Sequence, residues 1–110
     1  MKVYDTVNKL ADEIKESEEY VNFKKAKEAI NTNQDYNNKI SEFNKLRYEE
    51  QLNSMQTGKV DEEKIKIIQE KYKELISIPE IAKYFDTELK FNGMLGDVNK
   101  IISEAVKDVI

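Results

Sequence analysis

Residues 78–110 read IPEIAKYFDTELKFNGMLGDVNKIISEAVKDVI, and the spacing of their apolar side chains decides the fold class. Ile81, Phe85, Leu89, Met94, Leu95, Val98, Ile101, Ile102, Ala105 and Val109 recur mainly at intervals of three and four. That is the period at which side chains share one face of an α-helix. The stretch opens on Ser77-Ile78-Pro79-Glu80, an S-x-x-E capping box with proline in the first turn, where its missing N–H costs nothing. The spacing predicts a single helix over residues 78–109, about 48 Å long at 1.5 Å per residue. A compact globule of this chain length has a diameter of only roughly 34 Å. Either the helix breaks, at Asn92-Gly93 or at Gly96, or its apolar stripe is offered to a second chain. The residues that would carry such a dimer or partner interface are Met94, Leu95, Val98, Ile101, Ile102, Ala105 and Val109.

The same reading, carried toward the N-terminus, predicts four more helices. Ile65, Ile68, Tyr72, Leu75 and Ile76 form a stripe that starts behind Asp61, an N-cap residue, with Val60 placed to staple onto Ile65. Before it, Thr57-Gly58-Lys59 ends a helix from about Gln34 to Gln56, with Gly58 as the left-handed residue past its last turn. The stripe there is Tyr36, Ile40, Phe43, Leu46 or Arg47, Tyr48, Leu52 and Met55. Asn31-Thr32-Asn33 stops one helix and starts the next. Ser17 caps a helix carrying Tyr20, Phe23, Ala26 and Ile30, with Glu18 and Glu19 at the positive end of its dipole. The first helix runs from Val3 to Glu16, its stripe made of Val3, Tyr4, Val7, Leu10, Ala11 and Ile14. The expectation is an all-α protein: a bundle of about five helices in one domain, residues 1–110, with a long C-terminal helix that dimerises. One proline and three glycines are too few breakers for an all-β chain.

Composition removes several classes of chemistry. The 110 residues include no Cys, so there is no disulfide, thiolate nucleophile or cysteine-ligated metal cluster. They include no His, the commonest general base and transition-metal ligand. Lysine supplies every positive side chain except Arg47, so bidentate grasp of phosphate is poorly provided for. No apolar run approaches the roughly 18–20 residues of a membrane span. The segment MKVYDTVNKLADEIK reads as an amphipathic helix, not a signal peptide. The expected location is the cytoplasm.

Three constellations invite a functional reading, and each has a plainer one. Glu18-Glu19, Glu49-Glu50 and Asp61-Glu62-Glu63 could form carboxylate sites. Two of the three lie at helix starts, where acids simply suit the dipole, and bundle di-metal sites need a Glu-x-x-His element that this chain lacks. Lys24-Lys25-Ala26-Lys27 could meet phosphate, but Lys24–Glu28 and Glu63–Lys66–Glu70 have the spacing of a charge-laced helix surface. An isoelectric point near 5.0 argues against non-specific nucleic-acid binding. Of the six tyrosines, Tyr4, Tyr20, Tyr36, Tyr48, Tyr72 and Tyr84, most fall on or beside the stripes, as core or interface residues.

The stretch from Ile14 to Tyr20, followed by Phe23-Lys24-Lys25-Ala26-Lys27, resembles the start of the YlbF/YmcA family of small bacterial helical proteins. So does Ile78-Pro79-Glu80-Ile81 leading into Thr87-Glu88-Leu89. The closing Met94-Leu95-Gly96-Asp97-Val98-Asn99-Lys100-Ile101-Ile102 is most similar to the short YheA-like branch. The resemblance covers nearly the whole chain, through caps and apolar stripes. It implies an all-α protein that forms dimers or larger assemblies and works without catalysis. Better-known members regulate competence, sporulation and biofilm formation through a complex that tunes an RNA-degrading enzyme. It transfers no catalytic residue and no cofactor, and with no cysteine in this chain the metal-cluster role of longer relatives does not carry over.

The leading expectation is therefore a non-enzymatic helical interaction protein that forms homodimers and engages a larger regulatory complex. The rival is a nucleic-acid-associated factor using the Lys24–Lys27 face. An enzyme built on carboxylates and tyrosines is the weakest reading. With neither His nor Cys, the purified protein is expected to hold no stoichiometric transition metal. Elemental analysis checks this, and one zinc or iron per chain would overturn it, whereas a weakly held Ca²⁺ or Mg²⁺ on surface oxygens would not.

Overall fold

Short polar signals set the helix boundaries in a computed structural model that describes all residues 1–110. Helix α1 spans Lys2–Glu16 and α2 spans Glu18–Asn31. Ser17 separates them in an extended conformation. Its hydroxyl donates to the Ile14 carbonyl at 2.6 Å and accepts from the Tyr20 N–H at 3.2 Å, so one side chain closes α1 and opens α2. Asn33 begins α3 (Gln34–Thr57), its side-chain oxygen accepting from the Tyr36 N–H at 3.1 Å. Gly58 ends α3 with φ of 70°, a conformation that favours glycine because a Cβ would crowd the backbone. Asp61 caps α4 (Glu62–Ile76) by accepting from the N–H groups of Glu63 and Lys64. Helix α5 spans Pro79–Ala105, and a short 3₁₀ turn, Lys107–Val109, follows it.

The capping box expected at Ser77 does not form in that way. Ser77 is the C-cap of α4, and its hydroxyl donates back to the Glu74 carbonyl at 2.5 Å. The first turn of α5 is closed by the Ile78 carbonyl, which accepts from Ile81 and Ala82. With only Ser77 and Ile78 between the two helices, the Ser77 hydroxyl bonds to a free carbonyl of α4 and not to the free N–H groups of α5.

The chain resolves into two compact units. One comprises residues 1–27 and 84–110, and the other residues 28–83. In the first, rings hold α2 against α5. Phe23 meets Tyr84 at 5.7 Å and Phe91 at 5.5 Å between ring centroids, and Tyr20 meets Phe91 at 6.0 Å. The earlier residue of α2 takes the later partner and Phe23 also reaches back to Tyr84, so the helices run antiparallel. Tilted aromatic pairs at this spacing contribute about 0.5–1.5 kcal/mol beyond the area they bury. In the second unit α3 and α4 form an antiparallel hairpin. Phe43 and Tyr72 pair at 6.0 Å near its base, and a Glu50 carboxylate oxygen accepts from the Asp61 N–H at 2.9 Å near its tip. Ile30, Ile40, Phe43, Leu75 and Ile81 are this unit's buried apolar residues.

Helix α5 is unbroken. Its 27 residues make it about 40 Å long, and it passes through Asn92-Gly93 and Gly96 with no break in its helical run. Of the two outcomes the length admits, a break at these residues is therefore excluded. A Cβ placed on Gly93 or Gly96 would meet nothing within 4 Å, so neither glycine is demanded by close packing within the chain. Glycine in a helix interior costs about 1 kcal/mol relative to alanine. Gly93→Ala and Gly96→Ala are each expected to raise thermal stability by several degrees, about 1 kcal/mol at the midpoint. Differential scanning calorimetry checks this, and a fall in midpoint would show that the added methyl group meets another surface.

Candidate functional site

The chain's most unusual surface is apolar. Helix α1 carries a well-formed stripe yet contains no buried residue. Leu10 and Ile14 are half-buried, while Val3, Tyr4 and Val7 are exposed, Tyr4 at 67%. The far end of α5 behaves in the same way. Met94, Leu95 and Val98 are half-buried, and beyond them Ile101 is 70% exposed, Val109 is 87% exposed, and Ile102, Ala105 and Ile110 are open as well. The seven interface residues singled out from the sequence thus divide into three that share partly in the packing of their own unit and four that face solvent. Both surfaces belong to the same compact unit. Single exposed apolar residues need no explanation, but here stripes along two helices are left uncovered by the chain's own packing. The sequence reading gave α1 an apolar stripe as one helix of the bundle and did not say what covers it. Its stripe has the same period as a buried one, and the only warning was that five such stripes exceed what one small core can cover.

The Lys24–Lys27 segment takes part in a groove of about 210 Å³ lined by Tyr20, Phe23, Lys24, Lys27 and Phe91. The Lys27 ammonium stands 6.0 Å from the centre of the Phe23 ring, at the limit of a cation–π contact. Phe23 also packs on Phe91 and Tyr84, so its ring is already engaged within the unit. Ion pairs appear at Asp35–Lys39, Asp86–Lys90 and Glu104–Lys107, not at the pairs suggested by spacing around Lys24 and Lys66. Exposed pairs contribute only a few tenths of a kcal/mol, so spacing alone selects weakly among them.

The acidic clusters divide too. Glu18-Glu19 and Glu62-Glu63 occupy the first turns of α2 and α4, where acids suit the dipole. No three acidic side chains converge closely enough to hold a metal ion. Glu50 differs from its neighbours, being only 4% exposed. One of its oxygens holds the Asp61 N–H, and the other, Oε2, is buried without a hydrogen-bond partner. The sequence reading missed it because it grouped Glu50 with Glu49 as a surface pair. Ile40, Phe43, Arg47 and Glu50 do continue the three-four spacing of α3, which is the signal that could have found it. The tyrosines also spread more widely than expected. Tyr84 is buried, Tyr20 and Tyr36 are half-buried, and Tyr4, Tyr48 and Tyr72 are exposed.

Comparison with known proteins gives a consistent picture. The family described as control of competence regulator ComK, YlbF/YmcA, matches residues 3–107. A UPF0342 protein of Desulfitobacterium hafniense is 32% identical over 100% of this chain and 89% of its own length. One from Symbiobacterium thermophilum is 34% identical over 94% of this chain and 93% of its own. Among solved structures, the fold is similar to that of Bacillus subtilis RicA, crystallised in complex with RicF. The TM-score is 0.62 at 20% identity, over 97% of this chain and 95% of that one.

The bond from Asp61 to Glu50 has a stability consequence. Glu50→Gln keeps an oxygen for the Asp61 N–H, whereas Glu50→Ala leaves that donor unpaired. The alanine variant is expected to be less stable than the glutamine variant by about 1 kcal/mol or more in urea unfolding. Equal stabilities would show that the bond contributes nothing.

Proposed function

Because the chain belongs to the YlbF/YmcA family, we propose that it is a non-enzymatic helical interaction protein that pairs with a second copy of itself and takes part in a regulatory assembly. The observation that carries the reading is the pair of uncovered apolar stripes, on α1 and on the end of α5. Covering apolar surface is worth about 25 cal/mol per Å², and these stripes are left uncovered after folding. The family description, control of a competence regulator, supports a regulatory role. RicA was crystallised with RicF as its partner, and we carry that habit of assembly over to this chain as part of the proposal. Competence, sporulation or biofilm control through an RNA-decay complex is the role we assign, in the cytoplasm, as a YheA-like member of the family. No helix is long and apolar enough to cross a membrane. We take residues 1–110 as one cooperative domain, which calorimetry would read as one transition.

The rival reading, a nucleic-acid-associated factor, draws on Lys24 and Lys27 beside the aromatic groove. Single-strand binding needs ring faces on which bases stack, and Phe23 already packs against Phe91, Tyr84 and Lys27. Salt-dependent binding of single-stranded RNA that Lys24→Glu abolishes would favour the rival.

The double variant Ile101→Glu with Val109→Glu tests self-association. Both positions are open in the single chain, so the charges cost the fold little. In a dimer the same charges would be buried unpaired, at several kcal/mol. Sedimentation equilibrium is expected to find the parent chain dimeric at tens of micromolar and the variant monomeric, with unchanged helix content by circular dichroism. A monomeric parent, or a variant dimer of unchanged affinity, would overturn the proposal.

A further inference from the structure

The tip of the α3–α4 hairpin carries a second uncovered surface, made of different residues from the stripes of α1 and α5. Arg47, Glu50, Met55, Val60, Ile65 and Ile68 line a groove of about 360 Å³ there. Met55 is 75% and Val60 57% exposed, so the groove has apolar walls open to solvent. Val60 was expected to staple onto Ile65, and the two do flank one groove, but most of Val60 is left uncovered. An exposed apolar wall alone would say nothing about its occupant. Glu50 does. It is 4% exposed, its Oε1 atom accepts from the Asp61 N–H, and its Oε2 atom is shielded from water with no hydrogen-bond partner.

Buried carboxylate oxygens without a donor are rare, and each calls for an explanation. Arg47, one turn earlier on the same helix, is the nearest cationic donor in sequence. Its guanidinium is turned elsewhere: it lies 5.2 Å from the centre of the Phe43 ring and donates to the Asn44 side chain at 3.3 Å. A carboxylate only accepts, so whatever completes Oε2 must bring a donor, and a cationic donor bonds to it most strongly. The walls require that the donor arrive on an apolar carrier. Met55, on the wall of the groove, is flexible and exposed, so that wall can adapt to an incoming side chain.

We propose that this groove docks an amphipathic helix of a partner protein through a lysine or arginine set among aliphatic side chains, the cation bonding to Glu50 Oε2. The interaction does not depend on self-association through α1 and α5, so either proposal can fail without the other. It would let one chain hold a second copy and a different partner at once.

The test uses the full-length chain and two stapled amphipathic peptides of leucine and glutamine. One carries a single central lysine, and the other has norleucine in its place. Binding is followed by amide chemical shifts, with Gly58, Asp61 and Glu62 as reporters. Glu49→Gln serves as control, because it removes the same formal charge from the exposed neighbour of Glu50. The lysine peptide is expected to shift the hairpin-tip amides and to bind the parent and Glu49→Gln alike. It is expected to bind roughly tenfold or more weakly to Glu50→Gln, and the norleucine peptide to bind the parent weakly by the same margin. Glu50→Gln keeps an acceptor for Asp61, and its amide spectrum is expected to match that of the folded parent away from the hairpin tip. No binding at millimolar peptide, equal losses in the two variants, equal affinity of the two peptides, or shifts confined to other helices would each overturn the proposal.

Discussion

Phe23 packs against Phe91 and Tyr84 at centroid distances of 5.5 and 5.7 Å, and the register of α2 against α5 follows from that contact. Once Phe23 sits between rings one helical stretch apart on α5, the residues of α5 beyond Phe91 run past the aromatic cluster. Their burial falls away along the helix. Met94, Leu95 and Val98 are half-covered, and Ile101 and Ile102 are exposed. The apolar character of the stripe does not fall with it. The uncovered apolar surface is thus a product of register: the cluster anchors the helix near its middle and leaves its end exposed.

The composition makes such an excess hard to avoid. A chain of 110 residues buries only roughly two-thirds of the surface it exposes when unfolded, and here five amphipathic helices compete for that interior. The buried apolar set is small: Ala26, Ile30, Ile40, Phe43, Leu75, Ile81, Tyr84 and Phe85. Helix α1 contributes nothing to it. A helix with no buried residue derives little stability from its own chain, since isolated helices of this length are marginal in water. A second chain lying on α1 would supply what the first does not.

The legible parts of the structure were those decided by neighbours in sequence. Ser17, Asn33, Gly58 and Asp61 each act within one turn of themselves, and each stands where its cap was expected. Helix number and type followed from the period of the stripes. The exposure of Ile101, Ile102, Ala105 and Val109 was legible from the expected length of the last helix against the size of a compact globule. What was not legible depended on distant pairing. Glu50 is buried where Asp61, across the hairpin, brings an N–H to it, and the only local mark was its place in the three-four spacing of α3. Gly93 and Gly96 suggested a break, but a cost of about 1 kcal/mol each is small beside the packing that flanks them on α5. Ser77 matched a capping motif whose other half was outcompeted by the carbonyl behind it. The exposure of α1 came from competition among equal stripes, which no single stripe reveals.

The central claim is that a second copy of the chain covers α1 and the end of α5. Amide hydrogen exchange measured across a range of protein concentrations tests it most directly. The account predicts that amides of α1 and of residues 98–109 become more protected as concentration rises, while those of Ile40, Phe43 and Leu75 keep the same protection throughout. Rapid exchange in α1 and residues 98–109 at every concentration, from a chain whose other helices are fully protected, would contradict it.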